Sequence, residues 1–392
     1  MSITLFGILW VCLLFRQIIR RNTKKIIYLT LFSMILQSTN VIEIGGTGIG
    51  PQVFTSLLFI IYSFSLNYRE SVNAKYLFIY FLYSILLMYM YLTSPNNFLV
   101  IGQLGIYTLC AYRLYKLRSI LSEIEYSDFI YKMSKFFVLF CFVQLLCSIN
   151  ILPKFILKDI FFNEDSPLVQ FNKPYSYFRV CGTFMESSYC ATFVVGLIAF
   201  IFSQFDRRKH LKILLGLGII LLLTLSSTGY AGMLLLLIVY FMMNINLKTI
   251  TLFIPLLMIL SVIFWFTKDN ILQEVLFNKL DSDSGVERNG WNEMALEAYD
   301  SNRLTGVGLG NARASSFALC LLAETGLIGT IIYLLYLLAI LLPMARKDRL
   351  NLNEISSRYF FLGVIICMII ACPDQTLSSL WFGLYLISLS SK

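Results

Sequence analysis

The stretch Leu211–Ser226, LKILLGLGIILLLTLS, decides the fold of this chain because it carries a single charged residue, Lys212, over four turns of helix. Similar runs recur along the 392-residue chain, which is 58% hydrophobic and only 14% charged. A soluble domain of this length cannot hide so much apolar surface, so a bilayer must be the solvent for most of it. Backbone polar groups in hydrocarbon must pair internally, and continuous apolar runs favour helices over a closed barrel.

The sequence therefore predicts an all-α polytopic membrane protein, with residues 1–392 forming a single transmembrane domain of about 12–14 helices. The predicted spans lie near residues 3–15, 26–42, 51–66, 76–92, 98–114, 136–152, 188–205, 211–226, 230–246, 250–266, 314–342, 358–372 and 376–391.

The basic residues predict the orientation of these spans. Positive charge follows the first apolar segment (Arg16, Arg20, Arg21), whereas a cleaved signal peptide has it in front. With that basic loop placed inside, 22 of the 31 Lys and Arg residues fall in inside loops and only nine in outside loops. The net charge of +9 is thus explained by membrane topology, and no nucleic-acid-binding surface is predicted.

Two long loops, 153–187 and 267–313, are predicted on the outer side of the membrane. Neither has the composition of a linker, and long loops of mixed composition are usually functional. Within the second loop, RNGWNEMALEAYDSNRL (288–304) has the apolar spacing of a short surface helix, and DSDSG (281–285) is predicted to form a turn or a cap before it.

The cysteines and the single histidine, His210, do not form a metal-binding pattern. Most of the nine cysteines lie in apolar spans, where the residue behaves as a small hydrophobe. No metal and no cofactor is predicted.

Three groups of polar residues are candidates for chemistry. The first is RVCGTFMESSYCA (179–191), which brings Arg179 and Glu186 to the mouth of a span. The alternative interpretation is a snorkelling arginine followed by a capping glutamate.

The second group comprises Arg288, Arg303 and Arg313, which flank the glycine-rich run GVGLG (306–310). Guanidinium groups suit phosphate oxygens, and a helix N-terminus near Arg288 would add partial positive charge. Ion pairs with the nearby acidic residues are the alternative. The glycine run lacks the strand and helix of a dinucleotide fold and is interpreted as a flexible loop entering the next span.

The third group consists of polar residues inside apolar segments, among which the ionisable Glu324 and Asp374 are the strongest candidates. Glu324 could instead cap a helix that starts near Thr325. The remaining polar residues of this group are Gln37, Gln103, Gln144, Ser226, Ser227, Thr228 and Gln375.

Taken in order, RVCGTFMESSYCATF, LTLSSTGYAGMLLLL and RNGWNEMALEAYDSNRLTGVGLGNARASSFALCLLAETGLIG resemble the signatures of the O-antigen polymerases (Wzy) and of the related O-antigen ligases. The resemblance covers roughly residues 170–345. It implies a membrane glycosyltransferase of lipopolysaccharide or related polysaccharide biosynthesis. Its substrates would be oligosaccharide repeat units linked to undecaprenyl diphosphate, and the lipid diphosphate would be the leaving group.

Carried onto this sequence, the resemblance implies that Arg179 and Arg288 hold the diphosphate and are catalytic, with Arg303 and Arg313 as further diphosphate-binding candidates. Glu186 would act as general base on the acceptor hydroxyl. Secondary candidates for the site are Tyr189, Tyr230, Glu324 and Asp374.

Two positions depart from the family pattern. Ser187 stands where relatives often have proline, and Tyr230 stands where many have a basic residue, which puts one phosphate contact in doubt. The ligases use an outer histidine that this chain lacks, since His210 lies in a predicted inside loop, and this favours a polymerase. The ligase and a flippase or transporter of lipid-linked oligosaccharide remain as alternatives.

The resemblance also implies a location in the bacterial inner membrane with the active site facing the periplasm. Besides the lipid-linked substrate and the bilayer, a chain-length regulator and a flippase are candidate partners. The sequence does not indicate which sugars are joined, the linkage or the oligomeric state.

Overall fold

The computed structural model describes residues 2–3, 5–44, 47–66, 73–153, 179–204, 207–243 and 283–391. Thirteen α-helices lie within these ranges. They are α1 Leu5–Ile19, α2 Thr23–Ser33, α3 Pro51–Phe64, α4 Ala74–Thr93, α5 Phe98–Lys116, α6 Glu123–Ser148, α7 Ser187–Ser203, α8 Arg207–Leu223, α9 Ser227–Met243, α10 Asp283–Ser301, α11 Phe317–Leu341, α12 Leu352–Ala371 and α13 Ser378–Ser390.

Five of these helices are long and apolar enough to cross a membrane. They are α4, α5 with the 3₁₀ turn before it, α6, α11 with the 3₁₀ segment after it, and α12. Six further apolar helices have 10–17 residues: α1, α3, α7, the part of α8 from His210, α9 and α13. The chain is therefore a helical protein with the character of a multi-pass membrane protein. The predicted span 250–266 lies outside the described residues.

The predicted span 26–42 is wrong in its second half. Helix α2 ends at Ser33, and its 11 residues reach only about 16 Å, half of a hydrocarbon core of roughly 30 Å. The Ser33 hydroxyl donates a hydrogen bond to the carbonyl of Thr30 (2.8 Å). The amides of Met34, Ile35 and Leu36 each bond to the carbonyl three residues earlier, as in a 3₁₀ turn, and the α-helix ends there.

A small antiparallel sheet follows α2, which an all-α prediction did not include. Its strands β1 (Ser2–Ile3), β2 (Ile42–Ile44) and β3 (Thr47–Ile49) pair in the order β1-β2-β3. Because its strands have only two or three residues, this sheet is a local feature near the start of the chain, and the fold remains helical.

Helices α7, α12 and α13 form the buried centre. Almost every residue of α7 and α13 is buried, as expected for helices that are apolar all round and surrounded by other helices. Gly196 of α7 lies against the ring of Phe360, and Gly363 of α12 lies against Val195. These small residues let the two helix axes approach closely, which is how membrane helices gain packing energy.

The outer helices expose large apolar side chains. On α11 these are Ile331, Leu334, Leu335 and Leu338, each about half exposed. A buried centre inside an apolar exterior is the arrangement expected when lipid surrounds the bundle.

The two ends of the bundle differ in character. One end, here called the basic end, comprises residues 20–25, 118–125 and 349–354. Lys24 pairs with Glu125 there (2.7 Å), and Asn353 bonds both Gln204 (2.6 Å) and the carbonyl of Glu123 (3.1 Å).

Near the basic end a fully buried arginine joins three helices. Arg358 of α12 donates to the carbonyl of Ile340 on α11 (3.1 Å), to that of Glu354 (3.2 Å) and to the hydroxyl of Tyr76 on α4 (2.9 Å). These bonds satisfy a charge that would otherwise be costly to bury.

The other end, here called the loop end, comprises residues 179–186, 224–226, 303–316 and 372–377. The parts of the two predicted outer loops at 154–178 and 267–282 lie outside the described residues. The predicted helix of the second loop is present as α10, but it begins at Asp283. DSDSG was predicted as a turn or a cap before the helix, whereas its last three residues, Asp283, Ser284 and Gly285, already form the first turn of the helix, and residues 281–282 lie outside the described residues.

Candidate active site

Residues 181–183 are held at the loop end by a network of buried hydrogen bonds. The side-chain oxygen of Gln144, on α6, accepts the backbone N–H groups of Cys181 (3.2 Å) and Gly182 (2.8 Å). The amide and hydroxyl of Ser38 both donate to the carbonyl of Thr183 (2.9 Å each). Gln144, a polar residue in an apolar span, therefore positions the backbone of the candidate motif.

Arg179 lies at the break between α8 and α9. Its Nε donates to the carbonyl of Thr224 (3.1 Å) and its Nη2 to that of Leu225 (2.9 Å). Leu225 has a positive φ of 46°, so the turn is left-handed at a leucine, and the guanidinium ties down two carbonyls at the end of a helix. Tyr230 is close enough to interact electrostatically with Arg179, and its hydroxyl donates to the carbonyl of Leu222 (2.7 Å).

Glu186 occupies the N-cap position of α7 but does not cap it through its side chain. Its carboxylate is exposed and accepts the hydroxyl of Ser188 (3.0 Å). Tyr189, the next residue on α7, interacts electrostatically with both Glu186 and Asp374. The capping interpretation is therefore wrong for the described contacts, and Glu186 is exposed at the loop end.

Arg288 lies on α10, half-buried, five residues after the helix begins at Asp283. The helix N-terminus is therefore not at Arg288, contrary to the expectation from sequence. Asn292, one turn further along, accepts the backbone N–H of Ser315 (2.9 Å) and so fixes α10 to the segment that leads into α11. Among the described residues, the Arg288 guanidinium has no hydrogen bond or ion-pair partner.

Cys372, at the end of α12, lies within electrostatic range of three candidate residues. Burial raises the pKa of its thiol, a hydrogen bond with Thr192 (3.5 Å) partly offsets this, and the resulting pKa is about 12. The charges of Glu186 and Asp374 raise this pKa, and the charge of Arg288 lowers it. Two carboxyls and a cation, contributed by three separate parts of the chain, thus act on one thiol.

Arg303 and Arg313 are both engaged by neighbours. Arg303 forms an exposed two-pronged pair with Asp300, through Nε (3.0 Å) and Nη2 (2.8 Å). The guanidinium of Arg313 lies over the ring of Trp291, 3.7 Å from its centroid. The ion-pair alternative thus holds for Arg303, whereas Arg313 stacks on an aromatic ring.

The GVGLG run, predicted as a flexible loop, is fixed in place by α11. The amides of Val307 and Gly308 donate to the carbonyls of Ala323 and Glu324 (2.9 Å each), and the amide of Gly310 donates to the Glu324 carboxylate (2.7 Å). The Glu324 carboxylate binds this loop and not the N-terminus of a new helix.

Helix α11 is broken where the glycine run docks on it. Gly326 is non-helical (φ 62°, ψ −166°), and the amides of Leu327 and Ile328 turn to the carbonyls of Arg303 (2.9 Å) and Leu304 (3.2 Å). The break and the loop therefore satisfy each other's backbone groups, as membrane burial requires.

Asp374 lies in the turn between α12 and α13. Its carboxylate accepts the amide and the hydroxyl of Thr376 (2.7 Å each), burial raises its pKa, and it interacts electrostatically with Glu324. The two carboxyls predicted from sequence therefore lie within electrostatic range of each other, and Asp374 is also within range of Tyr107 and Tyr189.

The candidate residues thus fall into two clusters at the loop end. One comprises Glu186, Arg288 and Asp374, each within electrostatic range of Cys372, together with Tyr189 and Glu324, which are within range of Asp374. The other comprises Arg179 and Tyr230 at the α8–α9 turn. Gly229 of α9 lies against Ala191 of α7, beside Thr192, which contacts Cys372, so adjoining helices carry the two clusters.

Compared with models of known protein families and with curated proteins, the sequence matches none. Within the described part of the chain, His, Cys, Asp and Glu side chains form no group of three or more that could hold a metal ion. Sequence reasoning missed Cys372, because a cysteine in an apolar run gives no signal of its own.

Proposed function

We propose that this protein is a membrane glycosyltransferase that polymerises oligosaccharide repeat units carried on undecaprenyl diphosphate into a surface polysaccharide. A hydroxyl of the acceptor sugar attacks the anomeric carbon of the donor chain. The new bond joins that oxygen to the carbon, the bond from the carbon to the phosphate oxygen breaks, and undecaprenyl diphosphate departs with the electron pair. The hydroxyl proton passes to a general base.

The observation that carries the proposal is that Arg288, Glu186 and Asp374, from three parts of the chain, all lie within electrostatic range of Cys372 at one end of an apolar bundle. A guanidinium with no acidic partner among the described residues suits a diphosphate. Fixed positive charge facing the developing negative charge is the main source of catalysis in such a transfer. The exposed Glu186 carboxylate is the candidate base.

Arg179 combines a structural role with its proposed one. Two of its nitrogens hold the Thr224 and Leu225 carbonyls, which fixes the plane of the guanidinium at the loop end. A planar guanidinium suits phosphate oxygens as well as carbonyls, and it keeps its positive charge while it bonds to both carbonyls. Arg303 and Arg313 become weaker candidates, because Asp300 and Trp291 already engage them.

The basic end lies in the cytoplasm under this proposal, and the loop end faces the periplasm of a bacterial inner membrane. The lipid-linked substrate would then approach from the outer leaflet with its diphosphate at the level of the loop end.

The test is a gene deletion complemented with single variants, read out as surface glycan on a gel. Loss of a polymerase leaves single repeat units attached to their acceptor. Loss of a ligase leaves none, and loss of a flippase leaves none and traps precursor inside. Arg288→Ala should reproduce the deletion pattern, because the diphosphate loses its cation, whereas Arg288→Lys should restore it only in part.

Arg349→Ala is the matched control, since Arg349 is an exposed arginine at the basic end. It should leave the glycan unchanged at equal protein level. Long polymer in the Arg288→Ala strain at normal protein level would contradict the proposal.

One observation favours a second candidate, a transporter of lipid-linked oligosaccharide. Transporters place substrate at discontinuous helices, and α11 is broken at Gly326 beside Glu324. In the same experiment this candidate predicts that precursor accumulates on the cytoplasmic side.

A further inference from the structure

Arg313 and Trp291 form a stacked pair at the loop end. The central carbon of the Arg313 guanidinium lies 3.7 Å from the centroid of the Trp291 ring. A separation this short places the flat face of the guanidinium on the ring, because a guanidinium that points an N–H edge at a ring holds its central carbon further away. The N–H donors lie in the plane of the guanidinium, so stacking leaves them free to bind another group.

No protein group of the described ranges takes up these donors. Arg313 is exposed, and within those ranges it forms no hydrogen bond or ion pair. Helix α10 carries three exposed carboxylates, Glu287, Glu293 and Glu297, and none of them pairs with Arg313 in the described structure. Arg303, in contrast, holds a neighbouring carboxylate at 2.8 Å. Arg313 therefore presents both a positive charge and its hydrogen-bond donors to a ligand.

Trp291 lies outside the hydrophobic core. Its side chain is half-buried, yet it packs against none of the hydrophobic clusters that the described residues form. Its position is nevertheless fixed, because Asn292, the next residue, accepts the amide of Ser315 (2.9 Å) and ties α10 to the segment that carries Arg313. An aromatic ring that holds an exposed cation in a fixed place reduces the entropy lost when a ligand binds.

Arg288 lies one turn before Trp291 on α10. Residues at i and i+3 are neighbours on a helix surface, with Cβ atoms about 5–6 Å apart. A substrate whose diphosphate binds Arg288 therefore brings the sugars attached to that diphosphate within reach of Arg313. Because the ring of Trp291 holds Arg313 in place, Arg313 is positioned for a group on those sugars.

We infer that Arg313, supported by Trp291, binds an anionic substituent of the oligosaccharide repeat unit, so that the protein selects acidic repeat units over neutral ones. The inference rests on the proposed function, which supplies the lipid-linked oligosaccharide as substrate. A carboxylate on a sugar ring and a phosphate ester share the chemistry that the site requires. Each offers two oxygens that accept parallel N–H donors from one guanidinium.

The test is isothermal titration calorimetry of the purified full chain with single repeat units, released by mild acid from the precursor lipid of the host cell. These units carry no diphosphate, so their binding reports the sugar site alone. Arg313→Gln should weaken binding about tenfold, the loss expected when a charge-assisted hydrogen bond is removed. Arg349→Gln, at an exposed arginine of the basic end, should bind as the wild type does. Trp291→Leu should also weaken binding, and Trp291→Phe should restore most of it, because phenylalanine still offers a ring to the guanidinium.

Two treatments of the repeat units identify the anion. Reduction with carbodiimide and borohydride removes carboxylates, and alkaline phosphatase removes phosphate monoesters. One of the two treatments should lower the affinity of the wild-type protein to that of Arg313→Gln and leave the affinity of Arg313→Gln itself unchanged. A repeat unit without an anionic group, or equal affinities of the wild type and Arg313→Gln for untreated units, would overturn the inference.

Failure of the polymerase proposal would look different from failure at Arg313. If the protein is not a polymerase, Arg288→Ala leaves long polymer on the cell, while the loss of affinity in Arg313→Gln stands. If Arg313 does not bind the anion, Arg288→Ala still abolishes the polymer, while Arg313→Gln binds repeat units as tightly as the wild type.

Discussion

The arginines at the loop end show what single residues could and could not reveal from sequence. The site residues proposed from the sequence lie at one end of the bundle, but the sequence could not assign their partners. The Arg303–Asp300 pair has the i,i+3 spacing of a helical ion pair and is readable in principle. Arg313 stacks on Trp291, and this contact exists only because α10 folds back beside the start of α11.

At the residue scale, Gln144 gives a prediction about stability. It is fully buried and satisfies the amides of Cys181 and Gly182, so Gln144→Leu would leave two buried N–H groups unpaired. We expect the free energy of unfolding to fall by about 2–4 kcal/mol, measured by thermal unfolding in detergent. Gln103→Leu, which removes one half-buried bond to Tyr107, should cost clearly less. Equal losses of stability in the two variants would argue against the role of Gln144 in holding the backbone of Cys181 and Gly182.

At the scale of elements, the apolar pattern predicted most helices to within a few residues. The failures occur where backbone hydrogen bonding, and not hydropathy, ends a helix, as at Ser33. The break in α11 is a second example, because FALCLLAETGLIGTIIYLL reads as one continuous apolar run. Only the glycines signal it, and their meaning depends on the loop that docks there from residues 306–310.

The break in α11 can be tested by a substitution at Gly326. Its φ of 62° is unfavourable for other residues, and a methyl group there would lie 2.4 Å from the carbonyl oxygen of Leu304 and 2.5 Å from the amide of Gly306. Gly326→Ala should therefore disrupt the contact between the break in α11 and residues 304–306. The folded yield should fall sharply, measured by size-exclusion chromatography of the purified protein.

Gly218→Ala is the matched control. Gly218 lies inside α8, with no atom within 4 Å of the position a methyl group would take. The change should be neutral or stabilising by about 0.5–1 kcal/mol. If both variants purify equally well, the contact between Gly326 and residues 304–306 is not rigid.

For the whole molecule, composition was enough to predict a helical bundle in lipid, but not its internal arrangement. Lipid chains are as apolar as leucine, so hydropathy cannot tell a central helix from a peripheral one. That α7, α12 and α13 form the centre depends on packing, with Gly196 and Gly363 as the faint signs in the sequence. The same composition does carry orientation, through the unequal distribution of lysine and arginine between the predicted inside and outside loops.

That orientation can be tested with single cysteines at opposite ends. In a Cys12→Ser background, which removes the one exposed native cysteine of the described residues, Ser301→Cys places a thiol at the end of α10, and Ser119→Cys places one between α5 and α6. A membrane-impermeant maleimide should label position 301 in intact spheroplasts and position 119 only after permeabilisation. Both parent serines are exposed, so a difference in labelling reports the side of the membrane and not burial. The reverse pattern would place the loop end in the cytoplasm, where the proposed substrate, presented at the outer face of the membrane, could not reach Arg288 and Glu186.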